Sequence, residues 1–290
     1  MPKGHRKNHY VPQSLLKHWE VQRNGRFGVH VFSLTNRQTT FERSRGRDPF
    51  AFAVAEDLYV PTIAGKRATA MEAGWLATME ASLAHFVRQA ARRQPLATKR
   101  TEDLTKLAMA LVCLEQRSRY NLVMLRDALE ASPETRQLVT TSPEREVKRI
   151  VLENLVVLVT ELHNSLVPLR YMFVHSTGVP FITCDRPTVV ADQMPHRIAV
   201  LTPRLAVIYE KGRRTEYVHV DAEDDFVGTI NDMMIGQARD WVVALTPEQL
   251  EWAAKETDSD DWRDHVAKDR PTFITPRFST TGWTIPEPDE

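Results

Sequence analysis

The hydrophobic period of the chain changes twice. Phe27, Val29 and Val31 share one parity, with His30 and Phe32 on the other. This alternation predicts a strand over 27–34, preceded by the turn dipeptide Asn24-Gly25. Thr35-Asn36-Arg37-Gln38 predicts the turn into a second, weaker strand. Residues 43–50 read as loop, and Glu56 to Pro61 as a short extended piece closed by the proline. The period then lengthens. Glu72, Trp75, Leu76, Met79, Leu83, Phe86 and Val87 recur at three- and four-residue steps and predict a helix over 69–93. A second stripe runs through Leu104, Leu107, Leu111, Leu114, Leu122, Leu125 and Leu129 to a stop at Ser132-Pro133. A third helix, 145–166, is so apolar between 150 and 162 that it belongs at the centre of the packing. Strand-like runs return at 170–175, 180–183, 198–201, 205–209 and 241–245, with a helix at 224–239 between the last two.

Strands, then helices, then strands predict an α+β fold rather than a strictly alternating parallel sheet. Long central helices would pack against antiparallel or mixed strands drawn from both ends of the chain. The expected organisation is a single domain over 1–290, in which 246–290 form an acidic extension. A length of 290 residues is enough to bury a core without staples.

Charge is neutral in total, 38 basic against 38 acidic residues, which disfavours a purely electrostatic nucleic-acid or membrane binder. Its distribution is uneven. Residues 1–50 hold ten Lys or Arg against three Asp or Glu, a local +7, whereas 246–290 hold five against eleven, a local −6. Either these are solvated faces, or the basic front segment meets a phosphate-bearing partner such as nucleic acid. Two cysteines do not make a disulfide framework, and both lie in apolar patterns. No apolar run follows the first residues to act as a signal core, and none is long enough to span a membrane. The expectation is a cytoplasmic protein with no membrane partner.

Several signatures are absent: the Gly-rich dinucleotide fingerprint, the Walker loop, the nucleophile elbow, the zinc-protease helix and paired Cys-x-x-Cys. Three features remain. His9 follows His5 in a basic stretch before Val11-Pro12, and its imidazole could act as general base or simply tie down the segment. Asp185 follows Phe181-Ile182-Thr183 at a strand end, where a carboxylate can hold a divalent cation or accept backbone N–H groups in a turn. Gln116, Glu115 and Arg119 share one region of the second helix, as a site or an internal salt bridge. Glu80 stands at the rim of the first helix's stripe and could complete an acidic cluster.

Together these segments resemble the uncharacterised bacterial family known as domain of unknown function 4238. The resemblance rests on His9-Tyr10-Val11-Pro12-Gln13, Phe27-x-Val29-x-Val31, Asp57-Leu58-Tyr59 and Gln116-x-x-Arg119. It continues through Phe181-Ile182-Thr183-x-Asp185-x-Pro187 to Asn231 and Ala238-Arg239, and so covers about residues 5–245. Cys184 and Arg186 depart from the Ser and Asn of the family pattern. The resemblance implies no activity.

The residues themselves point to metal-assisted phosphodiester hydrolysis, a nuclease-like reaction. His9 would be the base, and Gln116 would orient water or substrate. Arg119 would contact phosphate. Asp185, with Glu80 or Glu115, would hold Mg²⁺ or Mn²⁺. The alternative is a non-enzymatic intracellular interaction module using Trp19, Trp252 and Trp262 as anchors.

Overall fold

The computed structural model describes residues 7–44, 50–63, 66–94, 101–190 and 196–268. His5, most of the expected 43–50 loop and the tail beyond 268 lie outside the described residues. The chain opens with β1 (Lys7–His9), α1 (Gln13–Leu16), β2 (Val21–Arg23), β3 (Arg26–Ser33) and β4 (Gln38–Arg43). Three short strands follow: β5 (Val54–Glu56), β6 (Thr62–Ile63) and β7 (Lys66–Arg67). The helical middle comprises α2 (Ala77–Ala91), α3 (Thr101–Gln116), α4 (Arg119–Ala131), α5 (Arg136–Thr141) and α6 (Glu144–Leu166). Then come β8 (Leu169–Ser176), β9 (Thr183–Cys184), β10 (Thr188–Val190), β11 (His196–Thr202), β12 (Leu205–Lys211) and β13 (Glu216–Ala222). The described part closes with α7 (Asp224–Gln237), β14 (Trp241–Ala244), α8 (Pro247–Glu256) and α9 (Asp260–Lys268).

The fold is α+β, with two five-stranded sheets. One has the order β10-β11-β12-β8-β13 and is antiparallel except for the parallel pair β8–β13. The other joins distant parts of the chain. β3 pairs along one edge with β4, and along the other with β2 and then β14, which continues to β9. The register Val242↔Phe32 and Val243↔Val31 places a late strand beside an early one. Alternation explains β3. Val29 and Val31 are buried on one face, and Phe32 on the other beneath α8. Gly28 keeps this hairpin tight, because a Cβ there would come within 2.8 Å of the Phe41 ring.

α6 packs as its sequence demands. Val147, Ile150, Val151, Leu155, Leu158, Val159 and Leu162 are all buried, against α3 and α4. Burial this wide around one helix contributes about 1.5–3 kcal/mol per large side chain. Glu144 and Glu146 in its first turn and His163 in its last suit the helix dipole.

Five expectations change. The stretch 69–93 begins as a π-helical segment, Met71–Leu76, before α2. The stripe expected as one helix is two, α3 and α4, broken at Arg117-Ser118. The piece at 56–61 is a turn, with Asp57 at φ 51°. Strand structure near 180–183 is confined to Thr183–Cys184, because Asn231 Oδ1 accepts the Ile182 N–H (2.9 Å) in place of a neighbouring strand. The supposed aromatic anchors are core groups. Trp19 is fully buried and donates Nε1–H to the Phe181 carbonyl (3.0 Å), and Trp252 and Trp262 pack against the core.

Candidate functional site

The helix break builds the site. Ser118 adopts an extended conformation and its hydroxyl accepts the Asn121 N–H (3.1 Å), an N-cap that starts α4. Asn121 Nδ2 in turn donates to the Glu115 carbonyl (2.7 Å), one of the acceptors left open where α3 stops. The break sends neighbouring arginines to different fates. Arg117 turns inward and is 3% exposed. Its guanidinium pairs with Glu80 (2.7 Å), donates to the His9 carbonyl and lies over the Tyr59 ring, 5.4 Å from its centroid. Arg119, two residues later, is exposed and lines a cavity of about 460 Å³.

Aromatic rings form one side of this cavity. Trp241 Nε1 donates to the Tyr10 hydroxyl (2.7 Å), which donates to the Phe52 carbonyl (2.8 Å). The Phe52 ring meets Trp241 edge-on at 4.9 Å. Burial holds the Tyr10 phenol well above its ordinary pKa, so it stays a hydroxyl. The hairpin continues the lining beside Trp241, which is paired with Ser33. Val31, Ser33, Gln38 and Thr40 present one face of β3 and β4, as the period of two requires, and Glu42 joins them. Asp240 completes the lining beside Trp241.

Asp185 stands behind that wall, 2% exposed. Its Oδ1 accepts the backbone N–H groups of Arg239 (2.9 Å), Asp240 (3.1 Å) and Trp241 (3.4 Å). One carboxylate oxygen thus shapes the turn from α7 into β14 and fixes where Asp240 sits. Burial, reinforced by the nearby Asp240 charge, raises the Asp185 pKa to about 6, although the three N–H groups pull the other way.

Of the four residues expected to share a cleft, Arg119 lines the cavity. His9, Gln116 and Asp185 do not line it. His9 is half-buried in β1, next in sequence to Tyr10. Gln116 donates to Glu115 (2.7 Å). The three expected metal carboxylates belong to three separate networks. Glu80 holds Arg117. Glu115 binds Arg197 (3.0 Å) and accepts from Tyr209 (3.3 Å), so the Arg119 pairing read from helical spacing gives way to Arg197 on β11. Asp185 holds the turn. Among the described residues, no three His, Cys, Asp or Glu side chains come together as a metal site. Arg117 and Asp240 were not singled out in the sequence, and Tyr10 entered only as a member of the opening motif. Arg117 had a signal: it occupies the next stripe position after Leu111 and Leu114, where an apolar residue belongs.

The chain belongs to the family described as Protein of unknown function (DUF4238). The family model matches residues 7–248. No curated protein and no solved structure matches the chain. Several motif residues of this DUF4238 member hold backbone rather than face solvent. Asn231 accepts from Ile182 and donates to the Pro180 carbonyl (3.1 Å), Tyr59 donates to the Arg117 carbonyl, and Asp185 gathers its three N–H groups. The tyrosine of the opening motif supports the cavity through Trp241. No helix among the described residues is long and apolar enough to cross a membrane.

Proposed function

We propose that the cavity bounded by Arg119, Asp240 and Phe52 takes a phosphodiester of nucleic-acid type and hydrolyses it with a divalent metal. The observation that carries this reading is the lining itself: one exposed guanidinium, two carboxylates and an aromatic side in a single cavity. Arg119 is the phosphate contact. Mg²⁺ and Mn²⁺ bind through one or two protein carboxylates plus substrate oxygens, a demand that Asp240 and Glu42 meet better than Glu80 or Glu115, which are committed elsewhere. Asp240 and Glu42 would hold the ion, which would supply a bound water of lowered pKa as the nucleophile. One of these carboxylates would take that water's proton as its oxygen bonds to phosphorus, and the P–O bond that breaks would leave an oxygen that solvent protonates. Ser33 and Thr40 offer hydroxyls to the sugar, and Phe52 a ring to the base. In this reading His9 and Asp185 are positioning residues. The His9 carbonyl anchors Arg117 at the start of α4, and Asp185 sets Asp240. Two free, buried cysteines fit a reducing, cytoplasmic setting.

The test uses labelled RNA, single-stranded DNA and duplex DNA, with Mg²⁺ or Mn²⁺ and with chelator. Cleavage that stops in chelator and falls about a hundredfold in Asp240→Asn and in Arg119→Ala is expected. No cleavage of any substrate, or cleavage unchanged in both folded variants, rejects the reading.

A second reading, a protein-interaction module, is favoured by a separate observation. The outer face of the β8 sheet exposes Met172 and Val218, at 38% and 51%, and α7 adds Phe226, at 44%, around a cavity of about 440 Å³.

A further inference from the structure

The open end of the β3–β4 hairpin carries a second groove, of about 450 Å³, lined by Lys17, Glu20, Arg26, Phe27, Arg43 and Ser44. We propose that it binds single-stranded nucleic acid. Phe27 stacks on a base, Arg26 and Arg43 contact phosphates, and Glu20 accepts a hydrogen bond from the amino edge of that base. The partner class comes from the phosphodiester reading; the geometry is independent of it.

Four observations converge. Phe27 is 57% exposed at the end of a strand whose other apolar residues are buried, which leaves a ring face open to a flat partner. Arg26 and Arg43 are exposed, and no ion pair among the described residues uses them. Glu20 Oε1 is buried in the same region with no hydrogen-bond partner, an acceptor in want of a donor. Amino groups of cytosine, adenine and guanine are such donors, and a carboxylate accepting from cytosine N4 is a standard pairing. Finally, Phe27 and Ser44 lie on the hairpin face that also presents Val31, Thr40, Ser33 and Gln38 to the Arg119 cavity. Phe27 to Val31 spans about 14 Å along the strand. Arg26 and Arg43 take the other parity, so the groove wraps the hairpin's open edge, with the ring on the cavity's face and the cations on the opposite one.

The chemistry selects among polyanions. A duplex keeps its base faces stacked and offers none to Phe27. An acidic peptide satisfies the arginines but brings neither a flat face for Phe27 nor an amino donor for Glu20. Only an unpaired strand uses the ring, the cations and the carboxylate together.

Fluorescence anisotropy in chelator, with labelled single-stranded RNA and DNA of about a dozen nucleotides, measures the interaction apart from cleavage. Duplex DNA and polyglutamate of similar length are the comparison probes. Single strands are expected to bind best, with affinity falling as salt rises. The Arg26→Ala/Arg43→Ala variant should weaken binding at least tenfold and lower the salt slope by about 1.4. Phe27→Ala should cost about tenfold and Phe27→Tyr should restore it. Glu20→Gln should reduce the preference for oligo-C over oligo-U. Arg26, Phe27 and Arg43 are exposed and Glu20 is half-buried, and unchanged thermal unfolding of the variants checks their folding. Equal binding of duplex or polyglutamate, or binding indifferent to Phe27→Ala, overturns the proposal. Binding through the groove without cleavage of any strand upholds the groove and removes the hydrolase reading alone.

Discussion

The knot around Arg117 and the cavity around Arg119 begin two residues apart and treat charge in opposite ways. At the knot, a buried guanidinium is held by both of its terminal nitrogens, with a carboxylate, a carbonyl and a ring around it and its Nε unpartnered, and it joins β1, α2, the turn at Tyr59 and the end of α3. At the cavity an exposed guanidinium stands against a wall whose own polar atoms are already arranged by buried partners. The difference separates a charge that builds structure from one that is available to a ligand. In this molecule the available charge depends on the committed one. The knot and the Ser118 cap set the direction in which α4 leaves, and Arg119 is the first residue of that helix.

The largest effect is expected where the charge is buried and paired. Arg117→Met leaves the His9 carbonyl without its donor and the partly exposed Glu80 carboxylate without its counter-charge. About 3 kcal/mol of unfolding free energy should be lost, measured by urea denaturation at neutral pH. Arg119→Ala should stay within about 0.5 kcal/mol of the parent protein, as exposed sites do. Equal losses at the two positions would remove the distinction between knot and cavity.

Asp185 gives the next largest effect, and it depends on pH. Its folded pKa, about 6, lies above the ordinary carboxylate value of 3.8. Between those values the folded protein binds the proton that the unfolded chain releases. Stability from this group is therefore present below pH 4 and is lost as pH rises toward 6. Asp185→Asn keeps an oxygen to accept the three N–H groups and carries no charge. Relative to the parent, the variant should gain roughly 3 kcal/mol between pH 4 and pH 7. Chemical denaturation of both proteins across that range would show it, and a difference that does not change with pH would refute the buried-carboxyl account.

What the sequence disclosed follows the same division. Periodic burial is legible, because it repeats: the faces of α6 and β3 follow directly from spacing. The helix break is not, because Leu114 and Leu122 keep the leucine stripe in phase across it, and the signal against continuity is one serine that caps. β13 is equally hidden. Its residues are half-exposed or exposed over most of its length, so no apolar alternation marks a strand that is held by parallel pairing with β8. Polar motif residues were legible as important and not as to role. Asp185 looks the same in sequence whether it faces a metal or three backbone N–H groups, and the choice is made by Arg239 to Trp241, more than fifty residues away. Of the residues that line the cavity, Asp240 gave no periodic or motif signal of its own, and Tyr10 stood in the opening motif with nothing to mark its partner Trp241.

The smallest of the expected effects tests whether the cavity's aromatic side is braced by its hydroxyl. Tyr10→Phe keeps the ring and removes the oxygen that accepts from Trp241 and donates to Phe52. The indole N–H is then buried without an acceptor, because Trp241 is 2% exposed and solvent cannot replace the phenol. An unsatisfied buried donor costs about 1–3 kcal/mol, so a loss near 2 kcal/mol is expected in urea. A double-mutant cycle with Trp241→Phe, which removes the donor as well, should recover part of that loss, since two apolar partners leave nothing unpaired. Purely additive losses in the cycle would mean that the two rings contribute through packing alone, and that the Tyr10 hydroxyl does not hold the wall against which Arg119 stands.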